Sequence, residues 1–201
     1  MSGIDIFGFI TGVLCVYMIV KENDWNWLIG IINSILLLVV FWKTSLYAQV
    51  GLQVLYVVEG FFGWYKWVQR DKITNKKIVK ISYTSNNKQR LYFVLTGLLG
   101  TAILWKIFQK TEDPYPFWDS FITMTSIVAE LMLCWKLTES WWIYLFSDIV
   151  AVILFYNMGL PATSGTYLAF LFLCILGIVK WAKVYRAGKW VRFGRTTQAV
   201  G

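Results

Sequence analysis

The chain has 201 residues, of which 58% are hydrophobic and only 15% charged; soluble domains carry about 25% charged residues. It contains no histidine, which removes the commonest metal ligand and general base and excludes a Ser-His-Asp triad. The formal net charge is +8, and its placement along the chain ties it to membrane orientation rather than to nucleic acid.

A membrane-spanning helix needs about 20 mostly apolar residues. Seven such segments follow in chain order: 4–20, 25–41, 46–68, 90–108, 117–135, 141–156 and 163–185. The first residues lack a positive leader, so the first segment is expected to remain in the protein. Residues 69–89 are polar and basic and read as a surface loop. Pro114, Pro116 and Pro161 fall in connections, where helix-breaking residues belong. The fold class is an all-α integral membrane protein of seven transmembrane helices, forming one transmembrane domain over residues 1–201. With the N-terminus outside, only Lys43, Lys106 and Lys110 of the 19 Lys and Arg lie outside. That bias orients the C-terminus, with a basic tail over 186–201, toward the cytoplasm.

The chain repeats itself at an offset of about 115 residues. Lys21 aligns with Lys136, Trp27 with Trp142, Asn33 with Asp148 and Phe41 with Tyr156; after one deletion Gly63 aligns with Gly177 and Trp67 with Trp181. Repeat 1 covers about 4–68, repeat 2 about 117–185, and the helix at 90–108 links them. One intervening span keeps both units in the same orientation, the parallel-repeat plan with its site between the units near mid-membrane.

Four carboxylates, Glu59, Asp119, Glu130 and Asp148, fall inside these spans. Acids at membrane depth cost several kcal/mol and characteristically face a protein interior or a watery cavity. Asp119, Thr123, Ser126 and Glu130 lie on one helix face. Gln49, Gln53, Tyr56, Gly60, Gly63 and Trp67 form a stripe on the third helix, with Glu59 at its edge. Trp141, Tyr144 and Asp148 share a face of the sixth. The candidate substrate-binding set is Asn33, Gln53, Tyr56, Glu59, Trp64, Trp67, Thr123, Glu130, Trp141, Tyr144 and Asp148. Aromatic faces beside carboxylates suit a flat cationic solute. Cys15, Cys134 and Cys174 lie in apolar runs without CxxC spacing and read as small hydrophobes. No phosphate-binding or dinucleotide glycine motif occurs, and no cofactor, metal site or catalytic residue is expected.

Leu46-Tyr47-Ala48, Leu52-Gln53 and Gly63-Trp64-Tyr65-Lys66-Trp67, then Pro116-Phe117-Trp118-Asp119-Ser120, Lys136 and Glu139-Ser140-Trp141 together resemble the PnuC family of vitamin transporters. The resemblance runs from about Gly12 to Trp181. It implies a duplicated three-helix plan like that of SWEET sugar transporters, a homotrimer, and facilitated diffusion of a vitamin that a cytosolic kinase then traps. Family members carry nicotinamide riboside, thiamine or riboflavin. Glu59 and Glu130 stand where neutral residues are common in nicotinamide riboside carriers. Those extra acids favour thiamine, whose thiazolium is cationic and whose aminopyrimidine can pair with a carboxyl group; nicotinamide riboside, also cationic, is the alternative. A channel or sensor subunit using the acids as ion sites is the reading from a different class.

Overall fold

The computed structural model describes residues 3–43, 47–84, 86–111 and 114–197. Seven helices are present among them: α1 (Gly3–Val20), α2 (Trp25–Lys43), α3 (Tyr47–Val68), α4 (Asn87–Phe108), α5 (Pro116–Cys134), α6 (Glu139–Asn157) and α7 (Pro161–Thr197). By length and composition α4, α5, α6 and the stretch Pro161–Ala187 of α7 can each cross a bilayer, and Gly8–Val20 and Trp25–Val39 are shorter apolar helices. Gln49, Gln53, Glu59 and Lys66 dilute the apolar content of α3.

The boundaries follow local chemistry. Asn86 caps α4, its side chain accepting from the Lys88 N–H at 2.9 Å, as a helix N-terminus with unpaired donors requires. Pro116 opens α5, where its missing N–H costs nothing. The helix α7 runs on to Thr197, so much of the stretch read as a tail is helical. Its Arg, Lys, Ala and Val residues tolerate helix, and no proline interrupts them.

α1 and α5 end in the same way. The Asn23 N–H returns to the Met18 carbonyl at 3.0 Å and the Leu137 N–H to the Met132 carbonyl at 3.2 Å, while Glu22 and Lys136 take left-handed backbone angles of φ 56° and 52°. This is the Schellman ending, whose left-handed position glycine ordinarily fills. Non-glycine residues are uncommon there, so something else must hold Glu22 and Lys136 in place. They hold each other: Lys136 Nζ donates to Glu22 Oε2 at 3.0 Å.

Neighbouring helices pack as α1 on α2, α2 on α3, α5 on α6 and α6 on α7, and the contacts α3 to α5 and α7 to α1 close a six-helix ring. The fourth helix packs on α5 alone, outside that ring. Two glycines let indole rings come into direct contact with the neighbouring helix backbone. A methyl group added to Gly63 would enter the ring of Trp27, and one added to Gly177 would enter the ring of Trp141.

The α3–α4 connection is more than a surface loop. It begins as a short hairpin, with Arg70 bridged to Lys77 and Asp71 Oδ1 accepting from the Ile73 and Thr74 N–H groups at 3.1 and 2.7 Å. Those bonds from Thr74 hold the exposed Asp71 carboxyl below its usual pKa range. Residues 81–84 then dock on the α5–α6 turn: Ser82 bonds the backbone of Lys136 and Thr138, and Ile81 joins the main buried cluster. Polar composition hid this docking, because paired backbone groups carry most of it and Ile81 is the one apolar side chain of residues 81–84 in the buried cluster.

Alanine at Gly63 or Gly177 is expected to destabilise the protein by about 1–3 kcal/mol, the usual range for overpacking. Thermal unfolding in detergent checks this; both variants should unfold at lower temperature than the parent, whereas Gly30→Ala, with open space around it, should not.

Candidate functional site

A cavity of about 300 Å³ lies within the ring, at the lower end of the range for small-molecule sites. All six ring helices line it, and α4 does not. Of the candidate residues, Asn33, Tyr56, Glu130, Trp141, Tyr144 and Asp148 stand on its wall. The others lie elsewhere. Gln53 is buried away from the wall, Trp64 is 39% exposed on the outer surface of α3, and Trp67 is fully buried beneath the cavity. Thr123 is absent from the lining, although Ser126 and Glu130 of the same stripe are part of it. Glu59 is set back too, with Oε2 buried and unpartnered.

The wall carries acceptors and donors in excess of what the protein itself pairs. Glu130 Oε2 accepts the Tyr144 hydroxyl at 2.5 Å, a short O–H···O hydrogen bond. Asp148 Oδ2 has the Cys174 thiol at 3.4 Å, a weak donor. Among the described residues, ion pairs join Lys77 to Asp24, Arg90 to Glu139 and Lys136 to Glu22; none reaches Glu59, Glu130 or Asp148. Asn33 accepts from the Thr11 hydroxyl at 3.3 Å. The indole N–H groups of Trp27 and Trp141 and the Asn26 Oδ1 are buried without partners, and all three residues line the cavity. Buried polar groups are normally satisfied, so unpaired donors and acceptors around one void indicate a polar guest.

Four tryptophans from both three-helix units close one end. Trp27 packs edge-on to Trp67 at 5.5 Å, Trp67 lies 6.3 Å from Trp181, and Trp181 packs edge-on to Trp141 at 5.3 Å. Trp27 and Trp141 face the void, while Trp67 and Trp181 have no exposed surface. Trp67 donates to the Leu133 carbonyl at 3.0 Å. Beneath it the Lys136 ammonium sits 4.3 Å from the Trp67 ring centre, a cation–π contact. Burial pushes the Lys136 ammonium below its usual pKa range, and Glu22 acts in the opposite direction.

Sequence reasoning did not single out Asn26, Ser34 or Tyr167, and it aligned Trp27 with Trp142 rather than with Trp141. Gly63 meets Trp27 and Gly177 meets Trp141, both pairs at a single separation of 114 residues. That separation brings Ser34, not Asn33, opposite Asp148. A second opening of about 830 Å³ lies between α4, α5 and α6, outside the ring, with mostly apolar walls; it offers a polar solute little.

Comparison with known proteins agrees with this architecture. The vitamin B3 transporter PnuC crystal structure superposes with a TM-score of 0.70 at 24% identity, covering 92% of this chain and 83% of that one. The nicotinamide riboside transporter PnuC of Escherichia coli (strain K12) is 27% identical over 90% of this chain and 85% of its own length. The riboflavin/roseoflavin transporter RibM of Streptomyces davaonensis is 24% identical over 98% and 88%. The family model described as nicotinamide mononucleotide transporter matches residues 2–183. The family match over nearly the whole chain, on a fold shared with a solved carrier, makes the chain a multi-pass membrane protein that belongs to the nicotinamide mononucleotide transporter (PnuC) family of vitamin transporters.

Proposed function

We propose that the protein takes up nicotinamide riboside, a cationic pyridinium nucleoside, through the ring cavity. The observation that carries this is the cavity wall itself: two carboxylates, Glu130 and Asp148, without Lys or Arg partners, stand among Trp27, Trp141, Tyr56, Tyr144 and Tyr167. A cationic ring answers both the charge and the aromatic faces. The unpaired Trp27 and Trp141 N–H groups suit the carbonyl and hydroxyl oxygens of an amide-bearing riboside. Relatives named for nicotinamide riboside put this substrate ahead of thiamine. Thiamine is the second reading, and the presence of two acids rather than one is what favours it.

We further propose a topology and an assembly. The helices α1–α7 are seven spans, with the N-terminus outside and the C-terminus in the cytoplasm of a bacterial inner membrane. The units α1–α3 and α5–α7 are parallel repeats on a SWEET-like plan, with α4 as linker. Support comes from the matched Schellman turns, from the paired contacts α3–α5 and α7–α1, and from the two glycine–tryptophan contacts at one separation. The protein works as a homotrimer by facilitated diffusion, a cytosolic kinase trapping the product.

Titration calorimetry on purified protein tests the substrate. Saturable binding of nicotinamide riboside with weaker or no binding of thiamine is expected; thiamine binding alone would reverse the assignment. Glu130→Gln and Asp148→Asn are each expected to weaken binding about ten- to hundred-fold, the equivalent of losing a charge-assisted contact of about 1.5–3 kcal/mol. Tyr144→Phe, which removes the hydroxyl held by Glu130, should also weaken it. Trp64→Ala, outside the cavity, should leave affinity within about two-fold, well under the 1.4 kcal/mol of a tenfold change. Unchanged affinity in both acid variants would remove Glu130 and Asp148 from the site.

A further inference from the structure

The segment joining α3 to α4 crosses the closed end of the cavity and touches both three-helix units, but its two attachments differ in kind. On the α5–α6 side it is held by backbone. The Ser82 N–H donates to the Lys136 carbonyl at 3.1 Å, and the Ser82 carbonyl accepts from the Thr138 N–H at 2.9 Å and its hydroxyl at 3.2 Å. The Thr84 N–H donates to Glu139 Oε1 at 2.8 Å, and Arg90 at the start of α4 braces the same residue locally, donating to the Thr84 carbonyl at 2.6 Å. On the α1–α2 side the polar attachment is one ion pair, Lys77 Nζ to Asp24 Oδ1 at 2.6 Å, with both side chains partly exposed. An ion pair in contact with solvent is a weak and reversible tie, whereas a set of paired backbone groups is not easily given up. Between the attachments Ile81, 7% exposed, seats in the cluster that contains Ile19, Val20, Trp27, Trp67 and Trp181.

We propose that residues 77–84 are a latch: anchored to the α5–α7 unit, they close the tryptophan end of the cavity by engaging the α1–α2 turn, and they release that turn when the end opens. The asymmetry of the attachments is what carries this. Opening the end requires the α1–α2 turn to part from the α5–α6 turn, which breaks Lys136–Glu22 and Lys77–Asp24 together and withdraws Ile81 with the anchored side. The hairpin at 69–78, pinned by Asp71, keeps Lys77 aimed while the pair is broken, so the latch can re-engage.

The proposal rests on the transporter reading for the meaning of opening, so the test reads the latch without substrate. Cys15 lines the cavity and reports its accessibility. Inside-out and right-side-out vesicles are treated with a membrane-impermeant thiol reagent, and Cys15 modification is followed by peptide mass spectrometry. From the latch side, Cys15 of the parent protein should react slowly and that of Lys77→Glu about five-fold faster, the upper end of what a solvent-exposed pair supplies. The reversed pair Asp24→Lys with Lys77→Glu should return to within about two-fold of the parent, a residual well inside that pair's contribution. A rate in Lys77→Glu equal to the parent's, or a fast rate that the reversed pair does not restore, overturns the latch. Should Lys77→Glu fail to insert, Asp24→Cys with Lys77→Cys, joined by a short thiol cross-linker, replaces it. Cross-linking should abolish uptake and leave vitamin binding in detergent intact, and undiminished uptake after cross-linking overturns the proposal. Loss of vitamin binding in the parent protein would count against the proposed substrate, not the latch. Faster labelling from the opposite vesicle face would uphold the latch while reversing the assigned orientation.

Discussion

Everything in this fold depends on keeping Glu130 and Asp148 away from lipid. Hydrocarbon offers no partner to a carboxylate, so a cavity lined by two of them must be walled by protein on every side. The contacts α3–α5 and α7–α1 meet that demand by joining two three-helix arcs into a closed ring. The tight glycine–tryptophan contacts then matter twice over. They let α2 approach α3 and α6 approach α7, and they fix two indoles at the wall with their N–H groups left over for a guest.

The closed end shows how charge is used beneath that wall. Lys136, only 1% exposed, is one of the most deeply buried cations in the molecule, yet it is answered from two sides: by the Glu22 carboxylate and by the face of Trp67. Each contact takes up part of the desolvation cost that burial imposes. The layer is therefore polar below and aromatic above, and the indoles of Trp67 and Trp181 separate the buried ion pair from the void. Because the pair joins the end of α1 to the end of α5, its geometry is sensitive to how the two arcs lie relative to each other.

Much of this was legible in the sequence. Helix positions followed from apolar runs about 20 residues long, and the proline positions placed the connections. The polar stripe of α5 pointed to Glu130, and the spacing of Trp141, Tyr144 and Asp148 put them on one face. What was hidden depended on which neighbour each helix meets. Glu59 and Trp64 are on α3 beside true wall residues, but periodicity within one helix cannot say whether a side chain meets α2, α5 or the exterior. Trp67 looked like a site residue because of its motif, and it lies one layer too deep. The docking of Ser82 and Thr84 left no trace in composition because backbone atoms make it. The two glycine–tryptophan contacts lie 114 residues apart rather than about 115, and no glycine marks the two Schellman turns, where one is ordinarily found.

Those two turns have one more implication. Glu22 and Lys136 occupy corresponding left-handed positions after α1 and α5, yet they carry opposite charges and bond each other. An assembly of two identical three-helix chains would place like charges face to face there, a repulsive contact in any low-dielectric setting. Within one chain the two positions are free to be an acid and a base. The ion pair is thus one that two identical half-chains could not form with each other, and it makes the end of α1 chemically distinct from the end of α5.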